Sequence, residues 1–186
     1  MRSTVQIALA ALAIILPLVS CGGPGSSLPP LEPAVTDEVN YRLGPGDKLH
    51  VQVLGADDLS GDFLVGDNGT VSSPLIGDVT AAGSTRSELE RDMEKQLAHG
   101  YLKNPKVSVT ILAYRPFYIY GEVTKPGGYP YASGMRVMSA VATAGGFTYR
   151  ANENYVVITR NGQERKAEPN SPIQPDDVIR VPERFF

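Results

Sequence analysis

Few side chains in this sequence could do chemistry, and their spacing decides what that chemistry would be. Asp57-Asp58 offers two carboxylates side by side. A glycosidase needs its two carboxyl groups held apart across a sugar bond, and an adjacent pair in a loop reads as solvated turn residues. His50 falls on the polar side of an alternating apolar stretch, and His99 precedes Gly100 at the end of a helical pattern. Histidines so placed suit surface or helix-terminus roles rather than a general base. Two distant histidines make a poor metal set, and Asp67-Asn68-Gly69 lacks the spaced ligands of a calcium loop. No serine stands in a G-x-S-x-G context, and no phosphate-binding glycine motif occurs. The residues point to no catalysis, no metal and no cofactor. Tyr114, Tyr118, Tyr120, Tyr129, Tyr131 and Tyr149 cluster in the second half. Their rings and hydroxyls suit core and subunit packing first, and sugar contact as the alternative.

The single thiol, Cys21, has no cysteine to pair with and lies in LPLVSCGGPG. Arg2 is the only charge before it, and Val5 to Leu18 forms an apolar stretch too short, and too interrupted by Pro17, for a bilayer span. Leu18-Val19-Ser20-Cys21 resembles the bacterial lipobox. That resemblance implies residues 1–20 are a signal peptide, cleavage between Ser20 and Cys21, and a lipid on Cys21. Gly22, where an aspartate would hold a lipoprotein at the inner membrane, implies the outer membrane.

Cleavage would leave 166 of the 186 residues and remove Arg2, taking 17 basic residues to 16 against 20 acidic ones, a formal −4. That suits one large domain or two small ones. With no basic cluster to neutralise phosphates, the balance argues against a nucleic-acid binder and gives no support for a polybasic membrane anchor. Residues 21–39 form a tether rich in proline, glycine and serine, expected to be a disordered spacer reaching on the order of 50 Å.

Elements that could position a site begin at Tyr41. Gly44-Pro45-Gly46-Asp47 fits a type II turn leading into the alternating strand Leu49-Val51-Val53. Strands around 63–65 and 70–73 flank Asn68-Gly69, which predicts a type I′ hairpin between them. Thr85-Arg86-Ser87-Glu88 is a capping box before a stripe of Leu89, Met93 and Leu97, ended by Gly100. Residues 106–112 alternate as a strand. The second half predicts a strand at 117–121, a Pro126-Gly127 turn and a helix over 135–144 stopped by Gly145-Gly146. A hairpin about Asn161-Gly162 and a last strand at 178–181 complete it. The reading is α+β, ending in a β-grasp module, with no alignable internal repeat.

These residues, taken in order, resemble the bacterial outer-membrane polysaccharide export proteins. Tyr41-Arg42-Leu43-Gly44-Pro45-Gly46-Asp47 and its strand, Val71 to Asp78, the Thr85 helix and NPKVSVTI resemble the export domain. Tyr120-Gly121-Glu122-Val123, Pro126-Gly127-Gly128-Tyr129, Ala144-Gly145-Gly146-Phe147 and Pro175 to Pro182 resemble the SLBB module, a β-grasp domain. The resemblance implies a polysaccharide export domain over residues 40–113 and an SLBB domain over 114–186. It also implies a homo-oligomeric ring, lipid-anchored to the outer membrane and facing the periplasm, that passes capsular or exopolysaccharide outward. An inner-membrane polysaccharide co-polymerase is the implied partner. The glycines and prolines named above are then shape-forming signature residues. Better-known members carry further SLBB copies and a C-terminal amphipathic helix; here residues 181–186 end the sequence, so a separate outer-membrane channel protein is expected. The alternative reading is a monomeric glycan-binding envelope lipoprotein.

Overall fold

The structure, a computed structural model, describes residues 28–31 and 41–184. Ser20, Cys21, the signal segment and most of the tether lie outside the described residues. The first unit opens with strand β1 (Lys48–Val53), whose Leu49, Val51 and Val53 turn inward and are fully buried. It pairs on one side with β2 (Gly61–Leu64) and on the other with β5 (Val107–Ala113), both antiparallel. Helix α1 (Arg86–Ala98) packs beneath through Leu89, Met93 and Leu97. Its capping box is formed: the Glu88 amide donates to the Thr85 hydroxyl, and the Thr85 amide donates to the Glu88 carboxylate. The same helix finishes the β5 edge. Glu90 accepts from the Val109 amide at 2.8 Å and Glu94 from the Val107 amide at 3.1 Å, satisfying donors an edge strand would leave unpaired.

One expected hairpin does not form. β3 (Thr70–Ser73) pairs with β4 (Gly77–Thr80) rather than with β2. Asn68 is not at positive φ, so Asn68-Gly69 is not a type I′ turn. The Asn68 carboxamide instead accepts from the Thr70 amide and hydroxyl, a local bond that competes with a two-residue hairpin. This leaves Val71 and Val79 facing the core together.

The second unit is one mixed sheet in the order β7-β6-β10-β8-β9, with β6 (Phe117–Gly121) and β10 (Val178–Val181) parallel at its centre. Helix α2 (Val137–Thr143) buries Val137, Ala140 and Val141 against it. Beyond α2, the Gly145 amide reaches Ala142 and the Gly146 amide reaches Val141, the two bonds of a Schellman stop. β8 (Val156–Arg160) and β9 (Gln163–Ala167) join through Asn161 and Gly162, both at positive φ, as the type I′ reading requires. A parallel central pair, a covering helix and flanking hairpins make the β-grasp arrangement. Pro126-Gly127 is not the expected turn. Gly127 opens β7 (Gly127–Tyr129), an edge strand paired with β6 that its two glycines concealed. The tether also departs from a free spacer: Pro30 bridges Lys166 on the outer edge of β9.

Among the described residues no helix is long and apolar enough to cross a membrane. Thr85→Ala should cost the fold about 1 kcal/mol, read by chemical denaturation. Hydrogen bonding at Thr85 holds the Glu88 carboxyl below its ordinary 4.5. That contribution is present above pH 4.5 and lost as pH falls through the lowered value. Glu88→Gln should therefore shrink the acid-side loss of stability.

Candidate functional site

The signature turn is organised by one buried carboxylate. Asp47 is wholly inaccessible to solvent. Its Oδ2 accepts from the Gly44 amide at 2.9 Å, while its own amide donates to the Gly44 carbonyl at 3.1 Å. Gly46, at φ 93°, supplies the left-handed third position that closes the type II turn behind Pro45. The side chain and backbone of Asp47 thus lock the four residues reciprocally and aim β1 into the sheet.

The same carboxylate reaches the linker to the second unit. The Arg115 amide donates to Oδ1 at 3.0 Å, and Arg115 Nε lies 3.5 Å from that oxygen, an ion pair without a hydrogen bond. Tyr41 donates its hydroxyl to Asp47 at 2.7 Å and accepts from Arg115 Nη2 at 3.2 Å. A Cβ on Gly44 would stand 2.5 Å from Arg115 Nη1, so the guanidinium occupies the space a side chain would need. Burial, then the Asp47 charge, pushes the Tyr41 phenol well above the ordinary 10, keeping it a donor. Burial would lower the Arg115 guanidinium, but Tyr41, Asp47 and Asp176 together hold it above the arginine norm. Rings continue the contact across the junction: Tyr114 meets Tyr41 edge-on at 5.0 Å and Tyr131 at 5.4 Å.

A second turn of the same design stands at the other side of the junction. Gln174-Pro175-Asp176-Asp177 leads into β10 as Gly44-Pro45-Gly46-Asp47 leads into β1. The Gln174 amide donates to Asp177 Oδ2 at 2.7 Å, the Asp177 amide returns to Gln174 at 3.2 Å, and Asp176 takes the positive φ at 70°. Asp177 is also fully buried and holds Arg160 by two bonds of 2.7 and 2.8 Å. The Asp176 amide donates to the Pro116 carbonyl, next to Arg115. Each turn therefore carries a buried aspartate matched to one arginine, and the linker passes between them. Arg115 and Arg160 are the residues the sequence reading left out, while Tyr41 and Asp177 stood in its signature segments without a stated role. The shared Pro-x-Asp ahead of an alternating strand was the available signal.

The remaining signature residues sit in the second unit. Gly121, at φ 89°, ends β6 where a Cβ would fall 2.2 Å from the Val181 carbonyl oxygen, so no side chain fits. Thr124 and Lys125, ahead of Pro126 and Gly127, donate their amides to Gly146 and Ala144. Ala144 and Gly146 thus join the β6–β7 turn to the end of α2, where the Thr124 and Lys125 side chains lie against Gly145. His50 pairs with Asp62 across β1 and β2 at 2.6 Å on the outer sheet face. His99 is exposed at the α1 terminus, and Asp57 and Asp58 are exposed in a single helical turn. The tyrosines divide. Tyr114, Tyr129 and Tyr131 pack in ring contacts, whereas Tyr118 and Tyr120 stand on the outer sheet face and Tyr149 is exposed. The arrangement joins the two units through a buried carboxylate.

Asp47→Asn should destabilise the protein by about 3 kcal/mol, because it leaves the Arg115 charge half-buried and unmatched; denaturant midpoints check this. Tyr41→Phe should cost about 1 kcal/mol at neutral pH. Since the Tyr41 pKa is raised on folding, its contribution is full below pH 10 and lost as pH rises. An alkaline titration of stability should be flatter in Tyr41→Phe than in the parent.

Comparisons with known proteins agree with this architecture. The polysaccharide biosynthesis/export protein profile matches residues 35–112, and the SLBB domain profile matches residues 116–174. The exopolysaccharide production protein ExoF of Rhizobium meliloti is 42% identical over 118 residues, covering 57% of this chain and 28% of that protein. The EPS I polysaccharide export outer membrane protein EpsA of Ralstonia nicotianae is 28% identical over 160 residues, 71% of this chain and 42% of its own length. The polysialic acid transport protein KpsD of Escherichia coli is 26% identical over 133 residues, 70% of this chain and 24% of its own. The chain therefore spans well under half the length of each of these relatives. With an export domain followed by an SLBB domain of β-grasp topology, the chain belongs to the bacterial polysaccharide export family.

Proposed function

We propose that this protein is a non-catalytic, lipid-anchored component of a capsular or exopolysaccharide export conduit. It is held at the outer membrane through Cys21 and faces the periplasm. The observation that carries the reading is the ordered pair of family domains, joined through the buried Asp47 and Arg115. A conduit subunit needs a fixed angle between its parts more than it needs a reactive group, and a buried ion pair with three hydrogen bonds around it supplies that rigidity. In this reading residues 40–113 and 114–186 are the two domains, and copies assemble head to tail into a closed ring, because heterologous contacts that close make rings. The lipobox-like Leu18 to Cys21 supports the anchor. A polysaccharide co-polymerase in the inner membrane and a separate outer-membrane channel are the partners it calls for.

A second reading, a monomeric glycan-binding lipoprotein, draws on Tyr118 and Tyr120, two half-exposed rings alternating on one strand. Mass measurement in detergent separates the two, a closed oligomer supporting the conduit and a monomer with a saturable glycan site the alternative.

Deleting the gene should remove polysaccharide from outside the cell while precursor accumulates in the envelope. Complementation with the wild type should restore export, and complementation with Cys21→Ser should not. Undiminished export in the deletion strain would sink the conduit reading.

A further inference from the structure

Each unit keeps one sheet face turned away from its own helix. In the first unit, Lys48 and His50 of β1 and Asp62 and Leu64 of β2 lie on that outer face, and Leu64 is 56% exposed. Asp57 and Asp58 stand exposed just past the Val53 end of the same sheet. In the second unit, the strand registers set Tyr118 and Tyr120 of β6, Arg180 of β10, and Glu164 and Lys166 of β9 on the outer face. Tyr118 and Tyr120 are 45% and 44% exposed. The Tyr118 ring lies over β7 because its cross-strand neighbour is Gly128, where a Cβ would stand 2.9 Å from Tyr118 Cε1. A ring already seated in this way gives up little freedom when a partner covers it.

The two faces differ in charge. Residues 41–113 carry seven basic and ten acidic side chains, and residues 114–184 carry nine and seven, formal charges of −3 and +2. On the faces themselves, Asp57, Asp58 and Asp62 outnumber Lys48, whereas Arg180 and Lys166 outnumber Glu164. The faces do not close on each other within one chain: the Asp47–Arg115 joint fixes the units, and Leu64, Tyr118 and Tyr120 remain open. We propose that the outer face of the first sheet, through Asp57, Asp58, Asp62 and Leu64, docks on the outer face of the second sheet of another copy, through Tyr118, Tyr120 and Arg180. Tyrosine and arginine are the residue types that anchor interfaces, and Leu64 offers them apolar surface. Opposite charge steers the approach and rejects the pairing of like faces. Each copy carries one of each surface, so the contact propagates head to tail and forms a ring where the rotation closes. The inference rests on the head-to-tail reading above and assigns its two surfaces.

The test uses two variants of the full-length protein in detergent. Asp62→Lys with Leu64→Ser spoils the first face, and Tyr118→Ser with Tyr120→Ser spoils the second. All four side chains are exposed, so denaturant midpoints should stay near that of the parent. Each variant alone should be monomeric where the parent is oligomeric, its association weakened at least about thirtyfold. Mixed in equal amounts, the two should form a dimer holding one of each, joined through the face that each retains and unable to grow. Native mass spectrometry with one variant isotope-labelled reads that composition. Raising salt from about 0.05 M to about 0.5 M should also weaken the parent oligomer. A mixture that stays monomeric overturns the proposal, as does a variant that oligomerises as well as the parent, or a parent oligomer indifferent to salt. A tyrosine variant that keeps the oligomer but no longer retains purified exopolysaccharide would assign the second face to the glycan instead. A monomeric parent defeats the head-to-tail reading and this assignment together, whereas an oligomer untouched by either variant defeats the assignment alone.

Discussion

The Asp47 carboxylate governs the first turn, the entry into β1 and the linker between the two units. It is withdrawn from water, where an unmatched charge would cost several kcal/mol, so everything around it must be supplied in place. The Gly44 amide, the Tyr41 hydroxyl and the Arg115 amide provide the hydrogen bonds, and the Arg115 guanidinium provides the countercharge. These partners come from two stretches of chain, residues 41–44 and Arg115, that a free peptide would not hold together. The cost of burying the charge is what makes their geometry obligatory. A looser, solvated aspartate would permit the units to swing.

Repetition of the device at Asp177 extends the argument to the second unit. Asp177 fixes the entry into β10, the strand that lies between β6 and β8 and so completes the sheet. Its partner Arg160 comes from the end of β8, so one ion pair ties the neighbouring strands at the end nearest the linker. The two aspartates therefore register the two sheets from opposite sides of residues 115–116. The tyrosines at 41, 114 and 131 fill the space alongside with edge-to-face contacts, adding apolar burial to a joint that charges alone would leave porous to water.

Edges receive similar care. β5 would expose amides on its free side, and α1 answers with the carboxylates of Glu90 and Glu94. β9 would do the same, and the proline-bearing tether covers it. Unpaired strand edges are the surfaces of a folded chain most prone to join at random. Capping them restricts association to what side chains specify.

The elements whose cause is local were legible in the linear sequence. Thr85 and Glu88 cap α1, Gly46 sits where positive φ is needed, and Asn161-Gly162 makes its type I′ turn, because each depends on residues within four positions of itself. The family was legible for the same reason, since its signature is a series of such turns. Asn68-Gly69 misled because its side chain had a nearer partner in Thr70 than the hairpin had in β2. β7 was hidden because a strand beginning Gly-Gly has no propensity of its own and forms only where β6 offers a ladder. The tether looked like a spacer because two prolines argue against a strand until the register shows one nitrogen turned outward. Long-range pairing lay beyond sequence reading altogether. Asp47 with Arg115 and Asp177 with Arg160 are 68 and 17 positions apart. Only folding decides which buried charge meets which countercharge, since the cost of leaving either alone arises once water has been excluded.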